Sequence, residues 1–181
     1  MRMTAINYTG RSTLVGMVGL AGLVLTSTVA LAQESAETGR TVDLMAADRS
    51  GVPESIAPGE WSQASGEATV TASENGEATI EVTAENLVSE GVYTIWWVTL
   101  QTIGMDMGPG GGTPGNEFTA DAQGNASTTI TVPQDNTYEM MVVAYHADGQ
   151  THGEEPGEMG EVTFEHLMGS WPGPVGKMDD M

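Results

Sequence analysis

Five side chains in this chain of 181 residues are candidate ligands for a transition-metal ion, and four of them occur in two close pairs. His146 and His152 are six residues apart, where an apolar run gives way to a polar stretch. A strand end followed by a loop that folds back can bring both imidazoles to one ion, and imidazole suits copper, zinc and nickel. His166 belongs to an alternating segment that predicts an inward-facing side chain, so it is a candidate third ligand.

Two methionines form the second pair, in a glycine-rich stretch. Thioether sulfur is a soft ligand that suits Cu(I), so these residues extend the histidine set to a predicted copper site. A simpler interpretation stays open, because three histidines are an ordinary number, the H-x5-H spacing belongs to no strong motif, and methionine on strands usually fills a core. The candidate ligands are His146, His152, His166, Met105 and Met107.

Calcium is the other metal that the sequence allows. Asp106, Asp121, Asp148 and Glu154 lie in stretches rich in glycine, where backbone carbonyls can add oxygen ligands. The chain has no D-x-D-x-D-G pattern. Asp121 is also explained by a hairpin turn, since Asp, Gly and Asn are turn residues.

Enzyme chemistry ranks third among the function classes. The sequence has no G-x-S-x-G motif and no cysteine, and 25 acidic residues make a particular catalytic carboxylate pair impossible to single out. The leading hypothesis is a secreted, non-enzymatic binding or scaffolding domain with an unknown extracellular ligand or protein partner. Its contact surface is predicted in the loops 104–115 and 148–160, because β-sandwiches carry function on their end loops. The alternative is a periplasmic copper-binding protein.

Short alternating strands must position these residues. Residues 67–72 and 77–84 alternate strictly and flank an Asn-Gly pair, which predicts a hairpin with one buried face. Residues 91–100 are apolar on both faces and predict a central strand, with residues 138–145 as its neighbour. The glycine-rich residues 104–115 predict a loop. The pattern as a whole predicts an all-β fold, a two-sheet antiparallel β-sandwich of immunoglobulin-like or jelly-roll order.

The central strand carries the sequence Tyr-Thr-Ile-Trp-Trp-Val over residues 93–98. This stretch resembles a poorly characterised group of secreted microbial β-sandwich proteins with a Tyr-Thr-x-Trp-Trp-Val strand. Residues 144–149 resemble the same group more weakly. Many members have cysteine after the Trp-Trp strand, where this chain has Met105, Asp106 and Met107. The resemblance implies secretion and a β-sandwich, and it implies no activity.

The N-terminus has the features of a signal peptide: two arginines, an apolar stretch from Leu14 to Val29, and an Ala-Leu-Ala site that ends at residue 32. We therefore predict a secreted or periplasmic protein with no stable membrane span after processing. The predicted organisation is a signal peptide over residues 1–32, a flexible leader over 33–40, a β-sandwich domain over 41–168 and a flexible tail over 169–181.

Charge is the most unusual feature of the composition. The formal net charge is −20, and after residue 32 three basic residues face 25 acidic ones, which gives −22. Such a surface repels nucleic acid and anionic membranes, and it resembles that of proteins adapted to high salt. We expect screening by NaCl to stabilise the fold. We also expect mild acidification towards pH 5 to stabilise it, through carboxylates with raised pKa values.

Overall fold

The computed structural model describes residues 39–72 and 76–173, and antiparallel strands dominate this part of the chain. Its elements are β1 (Arg40–Ala46), α1 (Pro58–Ser62), β2 (Ser65–Ala72), β3 (Glu77–Glu85), β4 (Val92–Leu100), β5 (Met105–Pro109), β6 (Glu117–Thr119), β7 (Ala126–Pro133), β8 (Met140–His146) and β9 (Thr163–Ser170). In the described ranges no helix is long and apolar enough to cross a membrane.

All the strands belong to one antiparallel sheet, which curls into a half-barrel. The strand order is β5-β4-β8-β9-β1-β2-β3-β7, and β6 pairs with β4. β1 joins the two parts of the sheet, because it pairs with β2 along most of its length and with β9 through Met45 and Ala46. The all-β prediction is confirmed. The predicted division into two sheets is not confirmed, because β1 hydrogen-bonds on both sides.

The predicted hairpin is present as β2 and β3, which pair in register from Ser65–Glu85 to Ala72–Ala78. One face of each strand is buried and the other is exposed, with Val70 and Ile80 opposite each other in the core. Residues 73–75, which hold part of the predicted turn, lie outside the described ranges. The curl of the sheet packs this buried face against the inner face of β4, β8 and β9.

β4 is a strand with two buried faces, as predicted, and it lies between β8 and the edge strands β5 and β6. Trp97 points to the inner core, where its ring stacks on Tyr138 with centroids 4.4 Å apart. Trp96 points to the outer face and is 1% exposed. The strand thus has one tryptophan in each of two apolar clusters.

The prediction of a loop over residues 104–115 is wrong for its first half, because β5 pairs with β4 over five residues. Gly108 explains why glycine suits this strand. A Cβ added there would lie 2.6 Å from Cζ2 of Trp97, so only a bare backbone fits beside the indole ring. The glycine that indicated a loop is needed for packing.

The fold also continues past the predicted domain end at residue 168. β9 reaches Ser170, and Trp171 is buried against Tyr138 in the main core. The single-turn helix α1 lies between β1 and β2, and its Trp61 is buried. The predicted signal peptide, nearly all of the predicted leader and residues 174–181 of the predicted tail lie outside the described residues.

Candidate metal centre

A cluster of three potential metal ligands lies at the end of β8. His146 is the last residue of the strand, and Asp148 and His152 follow in the loop. One ligand atom from each side chain can be chosen so that all three lie within 4.8 Å of one another. His152 Nε2 is 3.1 Å from a carboxylate oxygen of Asp148, and the rings of His146 and His152 have centroids 5.6 Å apart.

A tight turn after β8 brings the three residues together. The backbone N–H of Gly149 donates to the carbonyl of His146, and that of Gln150 donates to the Asp148 carboxylate. The backbone of Gly157 also lies close to the imidazole ring of His152. A Cβ at this position would lie 2.7 Å from Cδ2 of His152, and its backbone φ of +83° also favours glycine. The close approach fixes the imidazole of His152 over the strand end.

His146 is 1% exposed, and threonine hydroxyls bind both of its ring nitrogens. Thr163 Oγ1 is 3.2 Å from Nδ1 and donates its own proton to the carbonyl of Pro156, so it accepts the proton of Nδ1. Thr94 Oγ1 accepts the indole N–H of Trp96 and lies 2.8 Å from Nε2. Thr94 therefore donates to Nε2, which carries the free lone pair of a neutral imidazole.

Burial lowers the pKa of His146, and the nearby His152 lowers it further. Asp148 and Glu117 act in the opposite direction and do not outweigh burial. The imidazole consequently stays neutral below the pH at which an ordinary histidine becomes protonated. Neutral imidazole is the form that binds metal ions. An ion at Nε2 has to displace the hydroxyl of Thr94, while the bond from Nδ1 to Thr163 is of the kind that orients metal-binding histidines.

His166 does not join this cluster, so the structure does not bring the predicted third histidine ligand to His146 and His152. It faces inward as predicted, but His146 lies on the opposite face of the sheet. Its Nε2–H donates to the carbonyl of Trp61 at 3.2 Å, and its Nδ1 is 3.1 Å from the Tyr93 hydroxyl. Its ring also stacks on Trp61 with centroids 3.8 Å apart. His166 therefore links Trp61 of α1 to Tyr93 of β4.

The structure does not bring Met105 and Met107 to the histidines either. Met107 on β5 pairs with Val98 of β4. His146 on β8 pairs with Val92, at the opposite edge of β4. Six residues of extended strand correspond to about 20 Å, which is far beyond any metal–ligand distance. Both methionines instead line an apolar pocket on the outer face of the sheet.

The acidic residues considered for calcium are dispersed. Asp121 accepts the backbone N–H groups of Gln123 and Asn125 and so completes the predicted turn. Glu154 accepts the hydroxyl of Thr113, and Asp106 is in the ladder of β5. Asp148 alone joins the histidines. Sequence reasoning left it out of the copper set, although its position between His146 and His152 was the signal that could have placed it there.

Comparison of the chain with protein-family models, with curated proteins and with solved structures finds no match.

Proposed function

We propose that the chain is an exported, non-enzymatic binding protein and that its ligand is a transition-metal ion held by His146, Asp148 and His152. The observation that carries the proposal is the convergence of three ligand atoms within 4.8 Å at the end of one strand. The signal-peptide pattern of the N-terminus supports export. The acidic surface supports attraction of cations and an environment of high salt.

Two imidazoles and one carboxylate favour zinc or Cu(II). The prediction of Cu(I) depended on the thioethers of Met105 and Met107. They are not part of this ligand set, so the argument for Cu(I) loses its main support. Three protein ligands leave a fourth position for water or for a group from a partner. The two loops predicted as a contact surface lie next to each other, since Thr113 of one donates a hydrogen bond to Glu154 of the other.

Calorimetric titration of the purified protein with zinc and with Cu(II) tests the proposal. We expect binding near 1:1, with an affinity at least tenfold weaker in His152→Ala and in Asp148→Asn. Glu155→Gln is the matched control, because it removes one carboxylate from the same exposed loop without touching the cluster. Equal affinity in the wild type and in the His146→Ala, His152→Ala double variant would rule out this site.

A further inference from the structure

The outer face of β4 and β8 carries a second binding feature, separate from the metal cluster. A pocket of about 260 Å³ lies between this face, the edge strand β5 and the loop that follows β8. Its floor is formed by Trp96, Val98, Val142 and Ala144, all of which are at most 4% exposed. An apolar cavity of about 150 Å³ holds benzene, so this pocket has room for a larger molecule.

Methionine is concentrated around this pocket. Seven methionines lie in the described ranges, and five of them line the pocket or pack against its apolar cluster. The inner core has a single buried methionine, Met141, among branched aliphatic and aromatic residues. Methionine is flexible and adapts to ligands of varied shape, which is why it is frequent on binding surfaces. The five residues are Met105, Met107, Met140, Met159 and Met168.

The entrance to the pocket is formed by side chains that can move. Met105 is 62% exposed and Met159 is 44% exposed, and they approach the pocket from β5 and from the loop after β8. Both are unbranched, so rotation about their χ angles opens the pocket without a change in the sheet. Pro156 adds a rigid wall from the same loop as Met159.

The pocket contains one charged group, the carboxylate of Glu165 on β9. This side chain is partly buried, and no basic side chain in residues 39–72 and 76–173 forms an ion pair with it. The indole N–H of Trp96 is bound to Thr94 and the ring is 1% exposed, so a ligand meets its carbon surface where the flexible methionine side chains move aside. A carboxylate beside tryptophan and methionine matches a positive charge on an apolar molecule, and cations are attracted to aromatic faces.

We propose that this pocket binds a small apolar molecule that carries one positive charge, such as an alkylammonium ion. The net charge of −20 supports this choice, because it attracts cations and repels carboxylates of the same length. The pocket does not depend on the proposed metal centre, since it shares none of the residues His146, Asp148 and His152.

Calorimetry with three probes of equal chain length tests the proposal: hexylammonium, 1-hexanol and hexanoate. The titrations are run on the full protein at about 1 M NaCl, where the Debye length is about 3 Å and unspecific attraction to the surface is screened. We expect hexylammonium to bind about tenfold more tightly than hexanol, as a hydrogen bond to a charged group implies, and hexanoate to bind most weakly. Equal affinities for the three probes would overturn the proposal that the ligand carries a positive charge.

Two pairs of variants locate the site. Glu165→Gln should weaken hexylammonium about tenfold and leave hexanol within twofold, whereas Glu81→Gln, on the exposed face of β3, should change neither. Met107→Ala should weaken both probes, and Met45→Ala, at an exposed methionine that does not line the pocket, should weaken neither. Asp148→Asn should leave hexylammonium binding unchanged, which separates this proposal from the metal centre.

Two further results would overturn the proposal. One is hexylammonium binding that Glu165→Gln and Glu81→Gln weaken to the same extent, since this would show attraction to the surface alone. The other is strong 1:1 binding of Ag(I) that Met107→Ala abolishes, together with no binding of hexylammonium. That outcome would identify the methionines as soft-metal ligands instead.

Discussion

The two faces of β4, β8 and β9 each bury one histidine, His166 on the inner face and His146 on the outer face. His166 is bonded to the Tyr93 hydroxyl and the Trp61 carbonyl, and its ring stacks on Trp61. The bonding partners of His146 are two threonine hydroxyls. Both imidazoles are neutral and fully hydrogen-bonded, yet only His146 has a second histidine and a carboxylate beside it.

The comparison shows that burial alone does not identify a functional histidine. The Tyr93 hydroxyl accepts the backbone N–H of Val88 and donates to His166, which in turn donates to Trp61, so the network links three parts of the core. An ion that binds Nε2 of His146 has to displace one hydrogen bond, that of the Thr94 hydroxyl, which contributes about 1 kcal/mol. The inner histidine is therefore a packing element, whereas the outer one can exchange a partner for a ligand.

Replacement of the two histidines should separate these roles most clearly. His166→Ala removes a buried, stacked ring together with its hydrogen bonds to the Tyr93 hydroxyl and the Trp61 carbonyl, so we expect a loss of about 3–5 kcal/mol of unfolding free energy. His146→Ala should cost about 1–2 kcal/mol, because Thr94 keeps its bond from Trp96 and Thr163 keeps its bond to Pro156. Urea unfolding measures both. Equal losses would contradict the division between the faces.

The pH dependence of stability is the second test, and it reverses the expectation from composition. Burial lowers the pKa of His166 to about 4, against 6.5 for an ordinary histidine. Between these values the unfolded chain binds a proton that the folded chain does not, so stability is lost as the pH falls from 6.5 towards 4. The full shift corresponds to about 3 kcal/mol. The lowered pKa of His146 acts in the same direction.

Two carboxyl groups have clearly shifted pKa values, and neither compensates for this loss of stability at low pH. Hydrogen bonds from Ser50 lower the pKa of Asp48, and hydrogen bonds, above all from the backbone of Asn125, lower that of Asp121. Such groups also lose their contribution as the pH falls. Urea unfolding between pH 4 and 7.5 measures the trend, and His166→Gln should flatten it. Rising stability towards pH 5 would restore the original expectation.

The sequence predicts the strands well where one face of the strand is exposed to solvent. In β3 buried and exposed residues alternate, so the pattern alone assigns the strand and its face. It also predicts that β4 is covered on both sides. It does not predict that one sheet covers both parts of the core, because the double pairing of β1 depends on hydrogen bonds of the backbone and not on side-chain type.

The candidate site was predicted in part, for a related reason. His146 and His152 are close in the chain, so a loop is enough to bring them together. The distance between Met107 and His146 depends on which residues of β4 each one faces, and register between distant strands cannot be determined from one sequence. The same limit applies to His166. The alternation of its strand correctly predicts that His166 faces inward. Whether His166 can reach His146 also depends on the face of the sheet on which His146 lies.

Gly108 offers a third test, on the inner face. Gly108→Ala places a methyl group against Trp97 on an edge strand, and we expect overpacking to cost about 1–3 kcal/mol. Gly59→Ala in α1 is the matched control, because its nearest atom is the flexible end of Gln63 at 3.4 Å. That variant should be neutral or slightly stabilising, since alanine favours helices. Thermal melts compare the two, and a neutral Gly108→Ala would show that packing does not require this glycine.

The smallest expected effect concerns the hydroxyl groups around His146. If Nε2 binds the metal ion, Thr94→Ala removes the competing bond and opens space at the lone pair. A neutral hydrogen bond contributes about 1 kcal/mol, so zinc affinity should rise about fivefold. Thr163→Ala removes the acceptor that holds Nδ1–H, and loss of such an orienting partner weakens metal binding about tenfold or more. The two variants delete the same hydroxyl chemistry on opposite sides of one ring and should change affinity in opposite directions.

Zinc titration of both variants, with the unfolding free energy measured in parallel, decides the assignment. Thr94→Ala also leaves the Trp96 N–H without its partner, so some loss of stability should accompany the gain in affinity. The reverse pattern, with weaker binding in Thr94→Ala and tighter binding in Thr163→Ala, would place the metal ion on Nδ1. Unchanged affinity in both would mean that neither nitrogen of His146 binds the ion. The outer histidine would then be a packing residue like His166, and the contrast between the two faces would not hold.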